Sequence, residues 1–164
     1  MLNAGQVCIA PDYLMVPEEA LEQVIEKATK IVGDMYPKIL DNKDYTAMVN
    51  DRHYQRISAT LADAEKRAIR TVTINPADED FTKNPSQKIA PTLIINPDDE
   101  AMCMQDEIFG PILPIKTYKN FEETISYINN RPRPLAAYFF GKDKAEEERF
   151  LTGTTSGGVS INDV

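Results

Sequence analysis

Residues 10–36, APDYLMVPEEALEQVIEKATKIVGDMY, place a short apolar strand directly before the strongest helical pattern of the chain. Segment 10–16 predicts the strand, and Pro17 stands at the first position of the predicted helix, where its missing N–H costs nothing. Apolar side chains then recur on one helix face. The predicted inward residues are Ala20, Leu21, Val24, Ile25, Ala28, Ile31, Val32 and Met35.

The alternation of strands and helices continues to the end of the chain. A second helix is predicted from Arg52 to Ala68, capped by Asn50 or Asp51, with Ile57, Leu61 and Ala62 facing inward. Asn120 and Glu123 predict a capping box for a helix that turns Phe121, Ile125 and Ile128 inward, and a short helix is predicted over 143–151. Further strands are predicted at 69–74, 89–95, 112–117, 135–141 and 159–162.

This order predicts the α/β class, with a three-layer α/β/α architecture and a mostly parallel sheet. The strand at 135–141, LAAYFFG, is nearly unbroken in its apolar character, which is typical of burial on both faces. The chain has 164 residues, which favours one domain.

Composition excludes several classes of function. Eighteen basic residues against twenty-six acidic ones leave a net charge of −8, and no basic run with interleaved aromatic residues indicates a nucleic-acid partner. No apolar run approaches the roughly 18 to 20 residues that span a bilayer, and the first residues lack the pattern of a signal peptide. Two cysteines and one histidine are too few for a zinc site. We therefore expect a cytoplasmic, soluble protein with free thiols and neither a membrane nor a metal partner.

The candidate nucleophile is Cys8, which follows a short polar loop containing Gly5. A thiol reacts as the thiolate, and a glycine nearby lets backbone N–H groups approach a reacting group. The alternative is a free cysteine that is buried, or that is merely exposed and has no catalytic role. For Cys103, between two methionines, a packing or loop role is favoured, and His53 is interpreted as a solvated residue at the start of a helix.

The segment QDEIFGPILPI adds a carboxylate and an aromatic ring immediately before a Gly-Pro turn. Glu107 and Phe109 are two residues apart, so in an extended segment both side chains would leave on the same face. A carboxylate that accepts hydrogen bonds from two hydroxyls, beside a ring that covers a flat heterocycle, suits a nucleotide. The alternative is a turn with one exposed Glu and one buried Phe. The acidic runs 78–80 and 98–100 lack the spacing of a calcium loop and are interpreted as solvated charge.

Four separated segments together resemble one family. NAGQVCIAPDY around Cys8 is similar to the nucleophile segment of aldehyde dehydrogenases, and EIFGPILPI from Glu107 resembles their second signature. RPRPLAAYFFG and TTSGGVSIND look like strands of the class 3-like branch. DMYPKILDNKDYTAMVNDRHYQRI most resembles the coniferyl aldehyde dehydrogenases. The resemblance covers nearly the whole chain.

The resemblance implies oxidation of an aldehyde to a carboxylic acid with NAD or NADP as hydride acceptor. It implies that Cys8 attacks the carbonyl carbon and that its backbone N–H is an oxyanion donor. It further implies that Glu107 binds the hydroxyls of the nicotinamide ribose and that Phe109 contacts the nicotinamide.

The family pattern also predicts that residues 1–164 are a catalytic domain truncated at both ends. The general-base glutamate and the nucleotide-binding domain precede the cysteine in that family, whereas seven residues precede Cys8 here. We expect the 164-residue chain to bind NAD or NADP weakly, to turn aldehydes over poorly, and to form homo-oligomers through uncovered apolar faces. Two alternatives stay open: a non-catalytic interaction module that keeps the fold, and a residual thiol acyl-transferase or esterase.

Overall fold

The computed structural model describes residues 2–84 and 86–164 and divides the chain into two units, residues 1–117 and residues 118–164. Strands and helices alternate in both, so the predicted α/β class is confirmed. Within the described ranges, no helix combines the length and the apolar character that crossing a membrane requires.

The first unit is built on a four-stranded sheet with the spatial order β1-β4-β3-β2. Strands β3 and β4 are parallel, as predicted, whereas β2 runs antiparallel to β3, so this sheet is mixed. Its strands are β1 Leu14–Pro17, β2 Arg70–Thr73, β3 Thr92–Ile95 and β4 Ile112–Tyr118. All four residues of β3 are buried, which fits an interior strand with a continuous apolar sequence.

Helix α1, Leu21–Met35, packs its apolar stripe on this sheet, with Ile25 among the buried residues of the core. Two residues predicted to face inward do not: Ile31 and Met35 are 56% and 58% exposed. Both are in the C-terminal half of the helix, and Met35 is its last residue. The pattern therefore identified the helix correctly but overestimated the length of its buried face.

Helix α2, Asp51–Arg67, begins at the predicted cap, where the Asn50 side chain accepts a hydrogen bond from the backbone N–H of His53. Its buried residues are Ile57, Thr60 and Ala64, whose spacings of three and four residues place them on one face of the helix. The prediction that Ala62 faces inward is wrong, because a residue five positions after Ile57 has left that side, and it is exposed. Helix α3, Met102–Gln105, is a single turn inside a predicted loop.

The second unit packs helices α4, Phe121–Asn129, and α5, Lys144–Gly153, on a two-stranded parallel sheet. Strands β5, Ala136–Phe139, and β6, Gly158–Ile161, form this sheet. The predicted capping box at α4 is confirmed in part: the N–H of Glu123 bonds to the Asn120 side chain, while the Glu123 carboxylate accepts from the N–H of residue 119. Within this unit β5 is not buried on both faces, because Phe139 alone of its four residues is buried and the next residue, Phe140, is 60% exposed.

One buried lysine organises the loop at residues 39–42 in the first unit. Lys88 is 9% exposed, and its Nζ donates hydrogen bonds to the carbonyls of Ile39, Leu40 and Asn42 at 3.0, 3.1 and 2.6 Å. From the other side, the Glu79 carboxylate accepts the N–H groups of Ile39 and Leu40 at 2.5 and 3.1 Å. The interpretation of Glu79 as a solvated charge is therefore wrong: the carboxylate is a backbone acceptor.

Replacing Lys88 with methionine is expected to lower the free energy of unfolding by about 2 kcal/mol, because three carbonyls lose a charged donor while the apolar stem is kept. Urea unfolding measures the change. The matched control is Lys83→Met, since the Lys83 side chain is 85% exposed, and its unfolding midpoint should not move. Equal midpoints for the two variants would show that the Lys88 hydrogen bonds do not stabilise the loop.

Candidate active site

The segment that leads to Cys8 has an unusual backbone. In the turn Leu2–Gly5, Asn3 and Ala4 have φ values of 52° and 53°, and Gly5 has a φ of 76°. A residue with a side chain costs about 1 to 2 kcal/mol in this left-handed conformation. Such backbone persists only where the surroundings impose it, and it is concentrated at functional sites.

Two contacts impose that conformation on the turn. Ala4 is 3% exposed and packs in a cluster with Ile39, Tyr45 and Ala90. Gln6 donates from Nε2 to the carbonyl of residue 47 at 3.0 Å and accepts the N–H of residue 49 at 3.0 Å. The side-chain amide of Gln6 thus donates one hydrogen bond to the backbone of residues 47–49 and accepts another. These bonds fix the loop two residues before the thiol.

Cys8 itself lies on the surface. The N–H of Ala10 donates to the carbonyl of Val7 at 2.9 Å, so Cys8 and Ile9 are the central residues of a turn. The thiol is free and exposed. Within residues 2–84 and 86–164, no backbone hydrogen bond uses the N–H of Cys8, so this donor is available to an oxygen atom placed beside the sulfur.

The second candidate segment follows α3. Glu107 is exposed, Ile108 is 2% exposed and Phe109 is half-buried. The premise that Glu107 and Phe109 leave an extended segment on one face is wrong, because Phe109 has a φ of 50° and the segment bends there. The bend occurs next to Gly110, where an added Cβ would lie 2.6 Å from Cδ1 of the fully buried Ile57. The bend at Phe109 thus lies directly beside a close contact between Gly110 and α2.

The two segments are in direct contact. A Cβ on Gly5 would lie 2.3 Å from the carbonyl oxygen of Gly110, so the backbones touch. Asp12, four residues after the thiol, accepts the N–H of Ile108 at 2.8 Å. The structure thus places the loop of Cys8 against the segment that carries Glu107 and Phe109, although they are about 100 residues apart in sequence. The sequence analysis did not identify Asp12. It expected Gly5 to let the backbone approach a reacting group, whereas in the structure Gly5 lets the backbone approach Gly110.

A shallow depression of about 370 Å³ adjoins this segment. It is lined by Arg56, Thr60, Met102, Asp106, Glu107 and Ile108. Glu107 is the one sequence-predicted site residue among them; Cys8 and Phe109 do not line it. Arg56, which the sequence analysis did not single out, donates from Nη2 to the carbonyl of Ile108 at 2.6 Å.

Cys103 and His53, the other residues considered for chemistry, are both at least partly buried. Cys103 is 2% exposed in α3, which confirms its packing role, and burial raises the pKa of its thiol to about 11. His53 is half-buried in the first turn of α2. Across residues 2–84 and 86–164, no three His, Cys, Asp or Glu side chains come together in an arrangement that could hold a metal ion.

The two thiols should therefore differ strongly in reactivity. With its pKa raised to about 11 by burial, the Cys103 thiol is almost entirely protonated near neutral pH, and its burial also restricts access of a reagent. With iodoacetamide, we expect Cys8 to be alkylated at least about 100-fold faster than Cys103, as followed by peptide mass spectrometry. Comparable rates would contradict both the exposure of Cys8 and the burial of Cys103.

Comparisons with known proteins give the family of the chain. The model of the aldehyde dehydrogenase family matches residues 1–164. The chain is 50% identical over 162 residues to coniferyl aldehyde dehydrogenase of Pseudomonas sp. (strain HR199 / DSM 7063), covering 99% of this chain and 34% of that protein. It is 37% identical to the rat dimeric NADP-preferring aldehyde dehydrogenase, again covering 99% of this chain and 34% of that protein.

A solved structure supports the same relationship. The substrate-bound state of Staphylococcus aureus AldH superposes with a TM-score of 0.86 at 34% identity, covering 98% of this chain and 34% of that one. The chain thus spans about a third of the length of the proteins it matches. The chain belongs to the aldehyde dehydrogenase family.

Proposed function

We propose that this chain is most of the catalytic domain of an NAD(P)-dependent aldehyde dehydrogenase that oxidises coniferyl aldehyde or another aromatic aldehyde to its carboxylic acid. The identity to coniferyl aldehyde dehydrogenases supports the substrate class. In this proposal a nucleotide-binding domain and a general base outside the chain complete the site, and we call that whole protein the complete enzyme.

The observation that carries this proposal is the exposed thiol of Cys8 on an anchored, left-handed loop in contact with the Glu107 segment. A buried thiol such as that of Cys103 has no access to a substrate. An exposed thiol on a mobile loop would lose the orientation that catalysis needs, which is worth about 7 kcal/mol or more. The contacts of Ala4 and Gln6 supply that orientation.

In the reaction, the thiolate of Cys8 forms a bond to the carbonyl carbon, and the carbonyl π electrons move onto oxygen. The free N–H of Cys8 stabilises that oxyanion. NAD(P)⁺, when bound, supplies the acceptor for the hydride that leaves the same carbon. Water then attacks the thioester that remains on Cys8, and the C–S bond breaks. The carboxylic acid leaves, and Cys8 recovers its thiol.

The two residues of the second segment fit a dinucleotide. The carboxylate of Glu107 is exposed and has oxygens to accept hydrogen bonds from two adjacent ribose hydroxyls. The ring of Phe109 is half-buried, and an aromatic ring of this kind can cover a flat heterocycle. We propose that these residues hold the nicotinamide end of the cofactor against the Cys8 loop.

The complete enzyme should form reduced nicotinamide in equal amounts with carboxylic acid when it is given coniferyl aldehyde, and an aliphatic aldehyde should give a lower kcat/KM. Both products can be quantified by absorbance and chromatography. If no aldehyde of either class yields reduced nicotinamide with NAD⁺ or NADP⁺, the proposed function fails. Calorimetry on the 164-residue chain alone should show no tight binding of either cofactor.

We also propose that the protein is a cytoplasmic homo-oligomer. Its free thiols fit a reducing compartment, and one relative, the rat enzyme, is named as dimeric. Large apolar side chains such as Ile31, Leu135 and Phe140 are more than half exposed in the described part of the chain. Light scattering that shows monomer at high concentration would contradict the oligomer.

A further inference from the structure

The backbone of Ile108 is held from two sides. Its N–H donates to the carboxylate of Asp12 at 2.8 Å, and its carbonyl accepts from the guanidinium of Arg56 at 2.6 Å. The two peptide units thus fixed join Ile108 to Glu107 and to Phe109. The side chains of Glu107 and Phe109 are therefore directed by the positions of Asp12 and Arg56.

Asp12 connects this arrangement to the thiol. It lies four residues after Cys8, in the segment that enters β1, while Ile108 is 96 positions further along the chain. Gly5, three residues before Cys8, touches Gly110, two residues after Ile108. The Cys8 loop therefore meets the Glu107 segment through one contact before the sulfur and one after it.

A carboxylate at position 12 is costly for the fold. The group is half-buried, and burial raises its pKa above the ordinary value of 3.8 despite the hydrogen bond from Ile108. A raised carboxyl pKa means that the folded chain holds the proton more tightly. The protonated Asp12 carboxyl therefore contributes to the stability of the fold at low pH, and this contribution is lost as the pH rises through the pKa of the folded chain. At neutral pH the ionised form of Asp12 therefore favours folding less than the protonated form would, while its oxygen still satisfies the N–H of Ile108.

We propose that Asp12 is a positioning residue that sets Glu107 and Phe109 relative to the sulfur of Cys8. This inference rests on the proposed function, in which Cys8 is the nucleophile and the other two residues hold the cofactor. Asp12 acts through the N–H of Ile108 and touches neither substrate nor cofactor. What matters is an acceptor oxygen at the distance set by one methylene group, not the negative charge.

Two reactions of the complete enzyme separate this role from a general loss of structure. Aldehyde oxidation needs the thiol and the cofactor, whereas the initial burst of para-nitrophenolate from para-nitrophenyl acetate needs only the thiol. The variants are Asp12→Ala, which removes the acceptor, Asp12→Asn, which keeps an acceptor oxygen in place without the charge, and Asp12→Glu, which keeps the charge but moves it by one methylene.

For Asp12→Ala we expect kcat/KM for NAD(P)⁺ to fall by about tenfold or more, with the burst rate constant within about twofold of the parent. Asp12→Asn should recover most of the oxidation rate, and Asp12→Glu should not. If Asp12→Ala does not fold, the order of Asn above Glu is still required. Thermal unfolding of Asp12→Asn at neutral pH should show no loss of Tm.

Three results would overturn the inference while leaving the proposed function intact: unchanged oxidation in Asp12→Ala, an equal fall of burst and oxidation, or a higher oxidation rate for Glu than for Asn. A parent enzyme that oxidises no aldehyde, or does so equally well without Cys8, overturns the proposed function and this inference together. The parent and a Cys8→Ala variant are therefore measured before the Asp12 series.

Discussion

Replacing Cys8 with serine in the complete enzyme is expected to lower kcat for aldehyde oxidation by about 10⁴-fold or more. A serine hydroxyl is far less nucleophilic than a thiolate near neutral pH. The substitution replaces one small exposed side chain with another, so the fold should not change. Steady-state formation of reduced nicotinamide measures the effect.

The matched control for this variant is Cys103→Ala, which removes the other thiol of the chain. Cys103 is buried in the turn α3, away from solvent, so its loss should change kcat by no more than about twofold, although it creates a small cavity and lowers stability. An active Cys8→Ser variant, or an inactive and well-folded Cys103→Ala variant, would assign the nucleophile to a different group.

Replacing Gly5 with alanine should have the second large effect, on both stability and activity. The new Cβ would lie 2.3 Å from the carbonyl oxygen of Gly110, and the φ of 76° disfavours any side chain. Strain and overpacking together should lower the free energy of unfolding by about 3 kcal/mol. Because the backbone must shift to relieve the contact, we also expect kcat to fall by about 100-fold. Urea unfolding and steady-state kinetics measure the two effects.

Gly33→Ala is the control for this variant. Gly33 lies inside α1, and its added Cβ would make an ordinary contact, 3.4 Å from Cγ of Pro76. Alanine is favoured over glycine in a helix interior, so the free energy of unfolding should rise by about 0.5 to 1 kcal/mol, with no change in kcat. If both alanines destabilise the protein equally, the contact between Gly5 and Gly110 is not what makes position 5 sensitive.

Local rules predicted the elements of the fold well. Asn50 and Asn120 cap their helices as expected, because a capping bond forms between residues three apart and needs no tertiary information. The apolar periods also located the helices. They failed at Ile31 and Ala62, which are both exposed although the pattern placed them on the inward side.

The candidate site was predictable to a different extent. The exposure of Cys8 follows from its short polar loop, and the resemblance pointed to Glu107 and Phe109. The bend at Phe109 could not be predicted, because nothing local marks it and the adjacent Gly110 packs on Ile57, which lies on a helix distant in sequence. The same holds for Asp12 and Glu79, whose carboxylates bind backbone groups 96 and 40 positions away. Nothing in the local sequence distinguishes these carboxylates from solvated ones.

Mass spectrometry of the trapped intermediate tests the central claim most directly. The complete enzyme is mixed with aldehyde and NAD(P)⁺, quenched in acid during turnover, and digested. We expect the peptide that contains Cys8 to carry the mass of the acyl group as a thioester, only when aldehyde and oxidised cofactor are both present. Turnover without any adduct on Cys8, or with the acyl group on another residue, would contradict the account.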